Sequence, residues 1–124
     1  MGLSADDYKV KLGLGKWGRH KAEFDKWAIE RGLKTYGPLS EGVRGGFPAQ
    51  IDAAMKKADE IHFNLKGVDT TRASGELNDF GEPARGYTNY ELHLIKTNTQ
   101  YRDKVIWYDE NGNTMPKGWM PPGF

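Results

Sequence analysis

The sequence predicts an α+β domain in which N-terminal helices pack on one face of a small antiparallel sheet. Residues 19–31, RHKAEFDKWAIER, set Ala22, Phe24, Trp27, Ala28 and Ile29 among charges at the spacing of an amphipathic helix. Residues 49–59 repeat the pattern with Ile51, Ala54, Met55 and Ala58, just after Pro48, a residue suited to a first helical turn. Ile61, Phe63 and Leu65 then recur every second residue, as a half-buried strand requires, so Glu60, His62, Asn64 and Lys66 fall on the opposite face. Helices that segregate to one side of a sheet leave its other side free to bind. His62 and Asn64 are expected on that free side.

The other elements follow from local chemistry. Gly32 closes the first helix as a C-cap, and turn-forming residues cluster from 35 to 48. Residues 67–87 show no period and contain Gly75, Gly81, Pro83 and Gly86, a loop long enough in a small domain to suggest a ligand-holding role. Thr88-Asn89-Tyr90-Glu91 matches a capping box, with Thr88 as N-cap, and opens a short helix that ends in the polar run TNTQ. A strand competes there because Tyr90, Leu92 and Leu94 also alternate. Residues 105–108, VIWY, read as a second strand, and Asn111-Gly112 as a tight hairpin turn. Residues 1–18 are expected to be a loosely ordered lead-in and 116–124 an irregular tail.

Composition bounds the function. A chain of 124 residues, 37% hydrophobic, fits one domain with one core, and 16 glycines imply generous loops. The absence of cysteine excludes disulfides, thiolate catalysis and cysteine-built zinc sites. No 18-residue apolar run and no apolar signal core are present, although MGLSAD matches the bare N-myristoylation pattern. The net charge of +1 argues against a strongly basic nucleic-acid coat. The charge is nonetheless uneven, with the Lys and Arg excess lying between residues 9 and 34.

Several side chains carry candidate chemistry. His62 is the sharpest, because imidazole both takes and gives a proton near neutrality, against the plain reading of a hydrogen-bonded structural histidine. Arg72 and Arg85 from the long loop, with Lys104 before VIWY, offer cations for phosphate. With Asn64 in support, their convergence on His62 would make a metal-free ribonuclease site, in which Glu91 is either the second acid-base group or a backbone cap, and Thr88 its neighbour. The segment GKWGRHK interleaves Trp17 and His20 with Lys16 and Arg19, a composition suited to phosphate contact and base stacking, or to a solvated helix entry. HExxH, paired-histidine spacing, the P-loop and G-x-S-x-G are missing, so no metal or cofactor is expected. GLGKWG offers G-x-G-x-x-G but is rejected as a dinucleotide site, since no strand is read before it and no βαβ unit after it.

ADEIHFNLKGVD at 58–69, TNYELHLIKTN at 88–98 and KVIWYDENGN at 104–113 together look like the C-terminal toxin domains of bacterial polymorphic toxins, the modules that end contact-dependent inhibition and Rhs-type proteins. The resemblance covers roughly the C-terminal half and extends over GGFPAQIDAAMKKA, while residues 1–40 add nothing to it. It implies a compact barnase/EndoU/colicin/RelE-type fold and a metal-independent ribonuclease, often acting on tRNA. It also implies delivery as part of a larger protein into the cytoplasm of a target bacterium, and a cognate immunity protein in the producer. The alternatives are a toxin that cuts DNA or consumes NAD, and a non-enzymatic protein-binding domain.

Overall fold

The computed structural model describes residues 9–124. Its elements are β1 (Lys11–Gly15), α1 (Lys21–Glu30), α2 (Tyr36–Leu39), α3 (Phe47–Lys57), β2 (Glu60–Asn64), α4 (Tyr87–Thr97), α5 (Thr99–Arg102) and β3 (Val105–Tyr108). The three strands form one sheet in the order β1-β2-β3, with β2 central. Both pairings are parallel, Leu12 against Ile61 and Ile61 against Val105. The antiparallel expectation is therefore corrected. Parallel neighbours need crossovers rather than hairpins, and the helices between the strands provide them.

One face of the sheet carries the main core. Leu12 and Leu14 of β1, Ile61 and Phe63 of β2 and Trp107 of β3 pack with Ile51 and Met55 of α3 and Leu92 and Ile95 of α4. Burying a side chain of this size contributes about 1.5–3 kcal/mol, so this layer dominates stability. The other face, which was expected to be free, is covered as well. There Phe24, Trp27 and Ala28 of α1 cluster with Tyr108 and Ile106. Parallel sheets are buried on both faces for the reason seen here, that their crossovers put helices on them.

α1 reaches the sheet because β1 carries glycine where the helix lands. A methyl group at Gly15 would lie 3.0 Å from the Phe24 ring, and one at Gly13 would lie 3.1 Å from Leu33 Cβ. This is the use of the GLGKWG glycines. The reasons given above for setting that motif aside fall, because a strand does contain it and a parallel crossover does follow. Its first two glycines lie inside β1 under α1, where they make room for side chains rather than for a pyrophosphate. α1 ends as foreseen at Gly32, whose φ is +66°. Leu33 N–H donates to Ala28 O and Gly32 N–H to Ile29 O, the two bonds of a Schellman motif.

The second and third helices of the reading are present as α3, begun at Phe47-Pro48, and α4. The capping box is not. α4 begins two residues earlier than the box requires, its N-cap is Gly86 with φ 99°, and no side chain caps it. The long loop is ordered by a one-turn helix at Thr70–Arg72 and by a bridge between Leu77 and Pro83. Around Asn111-Gly112 the chain does turn back, with Tyr108 bridging Thr114. Residues 1–8, with the myristoylation pattern and part of the expected lead-in, lie outside the described residues, whereas 11–15 of that lead-in are strand. No helix among the described residues is long and apolar enough to cross a membrane.

Replacing Gly15 by alanine is expected to cost about 1–3 kcal/mol, the usual range for forcing a methyl group into a packed interior. Urea unfolding of G15A beside an exposed control such as G37A, which meets nothing within 4 Å, measures it.

Candidate functional site

A cleft of about 500 Å³ opens at the C-terminal ends of β1 and β2. In parallel sheets this is the edge at which ligands bind, because the loops leaving the strands diverge there. Gly15, Lys16 and Trp17 enter it as β1 ends, Gly67 to Asp69 and Arg72 as the chain leaves β2, and Arg85 to Asn89 with Glu91 at the start of α4. The sequence reading had named Lys16, Trp17, Arg72, Arg85, Thr88 and Glu91 separately, and the fold brings these six to one place.

Three cations line the cleft. Arg72 is exposed and pairs with Asp69 at 3.4 Å, Arg85 is exposed and pairs with Glu76 at 3.0 Å, and Lys16 has no ion pair among the described residues. Exposed pairs of this kind contribute little, so both guanidinium groups can be recruited by an incoming anion. The first turn of α4 faces the same space uncapped, and its positive end favours negative charge.

Glu91 is the unusual group. It is the fifth residue of α4, 6% exposed, and its Oε1 has no hydrogen-bond partner. Burial pushes its carboxyl up to about 8. Its capping role is corrected, since no backbone N–H holds it, and the carboxyl group stands at the cleft ready to exchange a proton near neutrality. A buried polar atom left unpaired costs about 1–3 kcal/mol, and such costs gather at working sites.

His62 lies elsewhere. Its strand alternation points it away from the main core as expected, but toward α1 rather than solvent, and it is 7% exposed. Nδ1 lies 2.8 Å from the Tyr108 hydroxyl and Nε2 lies 2.9 Å from Glu60 Oε1. A carboxylate only accepts, so Nε2 carries the proton and Nδ1 accepts from Tyr108. Burial lowers the imidazole below its ordinary value despite the opposing Glu60 interaction, and the ring is neutral. Glu60 sits below the usual carboxylate range, because the His62 and Lys9 hydrogen bonds outweigh the effect of its own burial. Both ring nitrogens of His62 are thus occupied, Nδ1 in a bond that ties β2 to β3 and Nε2 in one to Glu60 of its own strand, and His62 is absent from the cleft lining. The structure does not bring it to Arg72 and Glu91.

The other candidates also separate. Lys104 donates from Nζ to Ala58 O at 2.6 Å and Lys56 O at 3.3 Å, where a cation suits the C-terminal end of α3. Asn64 accepts from Lys66 N–H at 2.9 Å, and it lines a second depression of about 450 Å³ with His20 and Lys16. There Lys66 pairs with Glu23, and Arg31 donates to Trp27 O and Gly112 O. Arg19 is exposed on the one-turn helix before α1 and lines neither space. Among the described residues no three His, Asp or Glu side chains gather as metal ligands.

Sequence reasoning missed Tyr36, Phe47 and Tyr87, which form the apolar side of the cleft with Trp17. The signal was present as aromatic residues flanked by glycine, Tyr36-Gly37 and Gly46-Phe47 inside a stretch read only as turns, and Gly86-Tyr87 at the end of the loop read as ligand-holding. Compared with known proteins, the chain matches no family model, no curated protein and no solved structure.

Because the folded imidazole of His62 holds its proton less tightly than the unfolded one, the unfolded state binds more protons below about 6.5. Stability from this group is therefore complete above that pH and falls as pH drops through the folded value. His62→Ala is expected to cost about 1–3 kcal/mol, from the Tyr108 O–H left without its acceptor and the lost Glu60 bond, and to flatten the dependence between pH 5 and 7. Denaturant titrations of both proteins across that range measure it.

Proposed function

We propose that the protein is a ribonuclease whose reaction centre is the Glu91 cleft. The observation that carries this reading is the convergence of Lys16, Arg72 and Arg85 with a buried, unpartnered carboxyl group at the C-terminal edge of a parallel sheet. Cations at one site select an anion, and guanidinium groups match phosphate in geometry as well as charge. A carboxyl group that titrates at about 8 is tuned for proton transfer at neutral pH.

The reaction is written on the ribose 2′-OH. Its oxygen forms a bond to phosphorus, the bond from phosphorus to the 5′ oxygen breaks, and that leaving oxygen takes the Glu91 proton. The 2′ proton passes to bulk water, from which Glu91 is reprotonated. Arg72, Arg85 and Lys16 hold the negative charge that builds on the phosphoryl oxygens. The products are a 2′,3′-cyclic phosphate and a free 5′-hydroxyl. The resemblance of residues 58–69, 88–98 and 104–113 to polymorphic-toxin domains supports the same reading. With it come tRNA as the first substrate to try, action inside a target bacterium, and an inhibitory partner in the producer.

Glu91→Gln is expected to lower cleavage of total RNA about 10²–10⁴-fold, the usual contribution of a positioned proton donor. Wild-type activity is expected to fall as pH rises through about 8, where Glu91 loses its proton. The same change is expected to stabilise the protein at alkaline pH. Between about 4.5 and about 8 the folded state holds a proton that the unfolded state has lost, so wild-type stability declines across that window and E91Q stability does not. Gel analysis of RNA with and without EDTA, paired with melting curves at pH 5 and pH 8.5, reads both effects. Full activity in a folded E91Q protein sinks the assignment.

A further inference from the structure

Resting on that reading, we infer that the cleft takes one unpaired nucleotide, with its base stacked on the outer face of Tyr87 and its phosphate held by Arg85, Arg72 and Lys16. The substrate class is single-stranded or looped RNA, and duplex is excluded.

The aromatic residues form a continuous wall. Trp17 and Tyr36 are nearly parallel, with centroids 6.3 Å apart and planes at 21°. Tyr36 meets Phe47 edge-on at 5.2 Å. Phe47 in turn stacks on Tyr87 at 4.4 Å with planes at 11°. The wall runs from the end of β1 to the first residue of α4, and it ends in a ring that is half open: Tyr87 is 50% exposed and Phe47 only 8%. Phe47 is pinned by Tyr36 on one side and Tyr90 on another, so Tyr87 rests on a fixed backing and offers its remaining face to the cleft.

An exposed aromatic face beside phosphate-binding groups is the composition that holds single strands, because every base has a π-face while a phosphate always follows it. The chain places a cation next to an aromatic residue twice here, Lys16 before Trp17 and Arg85 two residues before Tyr87. The uncapped start of α4 adds N–H groups on the phosphate side. Glu91, buried at the same place without a partner, is the independent mark of a ligand site. A base within a duplex is already stacked and paired and cannot lie on Tyr87 without leaving its helix. A cleft of about 500 Å³ is of the size that encloses a small ligand, not a double helix.

Binding by the non-cleaving Glu91→Gln protein tests this without reference to catalysis. A seven-residue RNA single strand, the same strand in duplex, and inorganic phosphate are titrated by calorimetry into E91Q, E91Q/Y87L and E91Q/R85A. Leucine keeps an apolar cover over Phe47, and melting curves confirm that each protein is folded. The expected result is at least about tenfold tighter binding of the single strand than of the duplex. Y87L should weaken the single strand about tenfold or more and leave phosphate unchanged, while R85A should weaken both. Equal binding of strand and duplex, or single-strand binding untouched by Y87L, overturns the inference. Selective single-strand binding by a protein whose wild type cuts no RNA would uphold the inference and sink the ribonuclease reading, so the two fail separately.

Discussion

α1 can lie against the sheet only because two positions of β1 carry no side chain. Gly13 and Gly15 let Leu33 and Phe24 come down to the strand, and this contact seals the second face with Phe24, Trp27 and Tyr108. Once both faces are covered, no ligand can bind across the sheet. The edge where the strands end and their loops diverge stays open, and there the cations, the aromatic wall and Glu91 line one cleft. The location of the site is thus a consequence of the helix packing that begins at Gly15, on the margin of the cleft.

Two buried titratable groups show how differently the fold treats polarity. His62 has a partner on each ring nitrogen and spans β2 and β3, so its burial is compensated and it tightens the sheet. Glu91 has no partner on Oε1 and is held away from water in the wall of a cleft that three cations also line. A hydrophobic residue there would be more stable by ordinary accounting. Such an uncompensated acid is what a proton-transfer site requires, since the same desolvation that costs stability brings its titration to neutral pH.

Much of the local structure was legible in the residues. α1 and α3 follow from 3.6-residue spacing, and β2 and β3 from Ile-Phe and Val-Ile-Trp-Tyr, whereas α4 was read from a capping box that the structure does not use. The Gly32 cap follows from the left-handed conformation that glycine accepts. The parallel topology was not legible. β1 is a short strand of Leu and Gly between lysines, and a glycine chosen for close approach to a helix reads like a loop residue. Without β1, the alternation of Ile61-His62-Phe63-Asn64 implied one wet face, because a histidine whose nitrogens are both satisfied inside the protein looks from sequence like one facing solvent. Six of the candidate residues do meet in the cleft. Tyr36 and Phe47 were hidden because their glycine neighbours marked them as turns, and Tyr87 because it closed a loop read for its length and not for its ring; such a residue shows its role only once the rings it stacks on are known.

The most direct measurement is the titration of the Glu91 carboxyl group itself, followed by carbon NMR of protein labelled at glutamate side chains and identified by loss of the signal in E91Q. A carboxyl resonance that reports the protonated form at pH 6 and ionises near pH 8 is the predicted result. A Glu91 signal that titrates near 4.5, with the other carboxylates, would show that the group is neither desolvated nor poised, and would contradict the assignment of this cleft as a reaction centre.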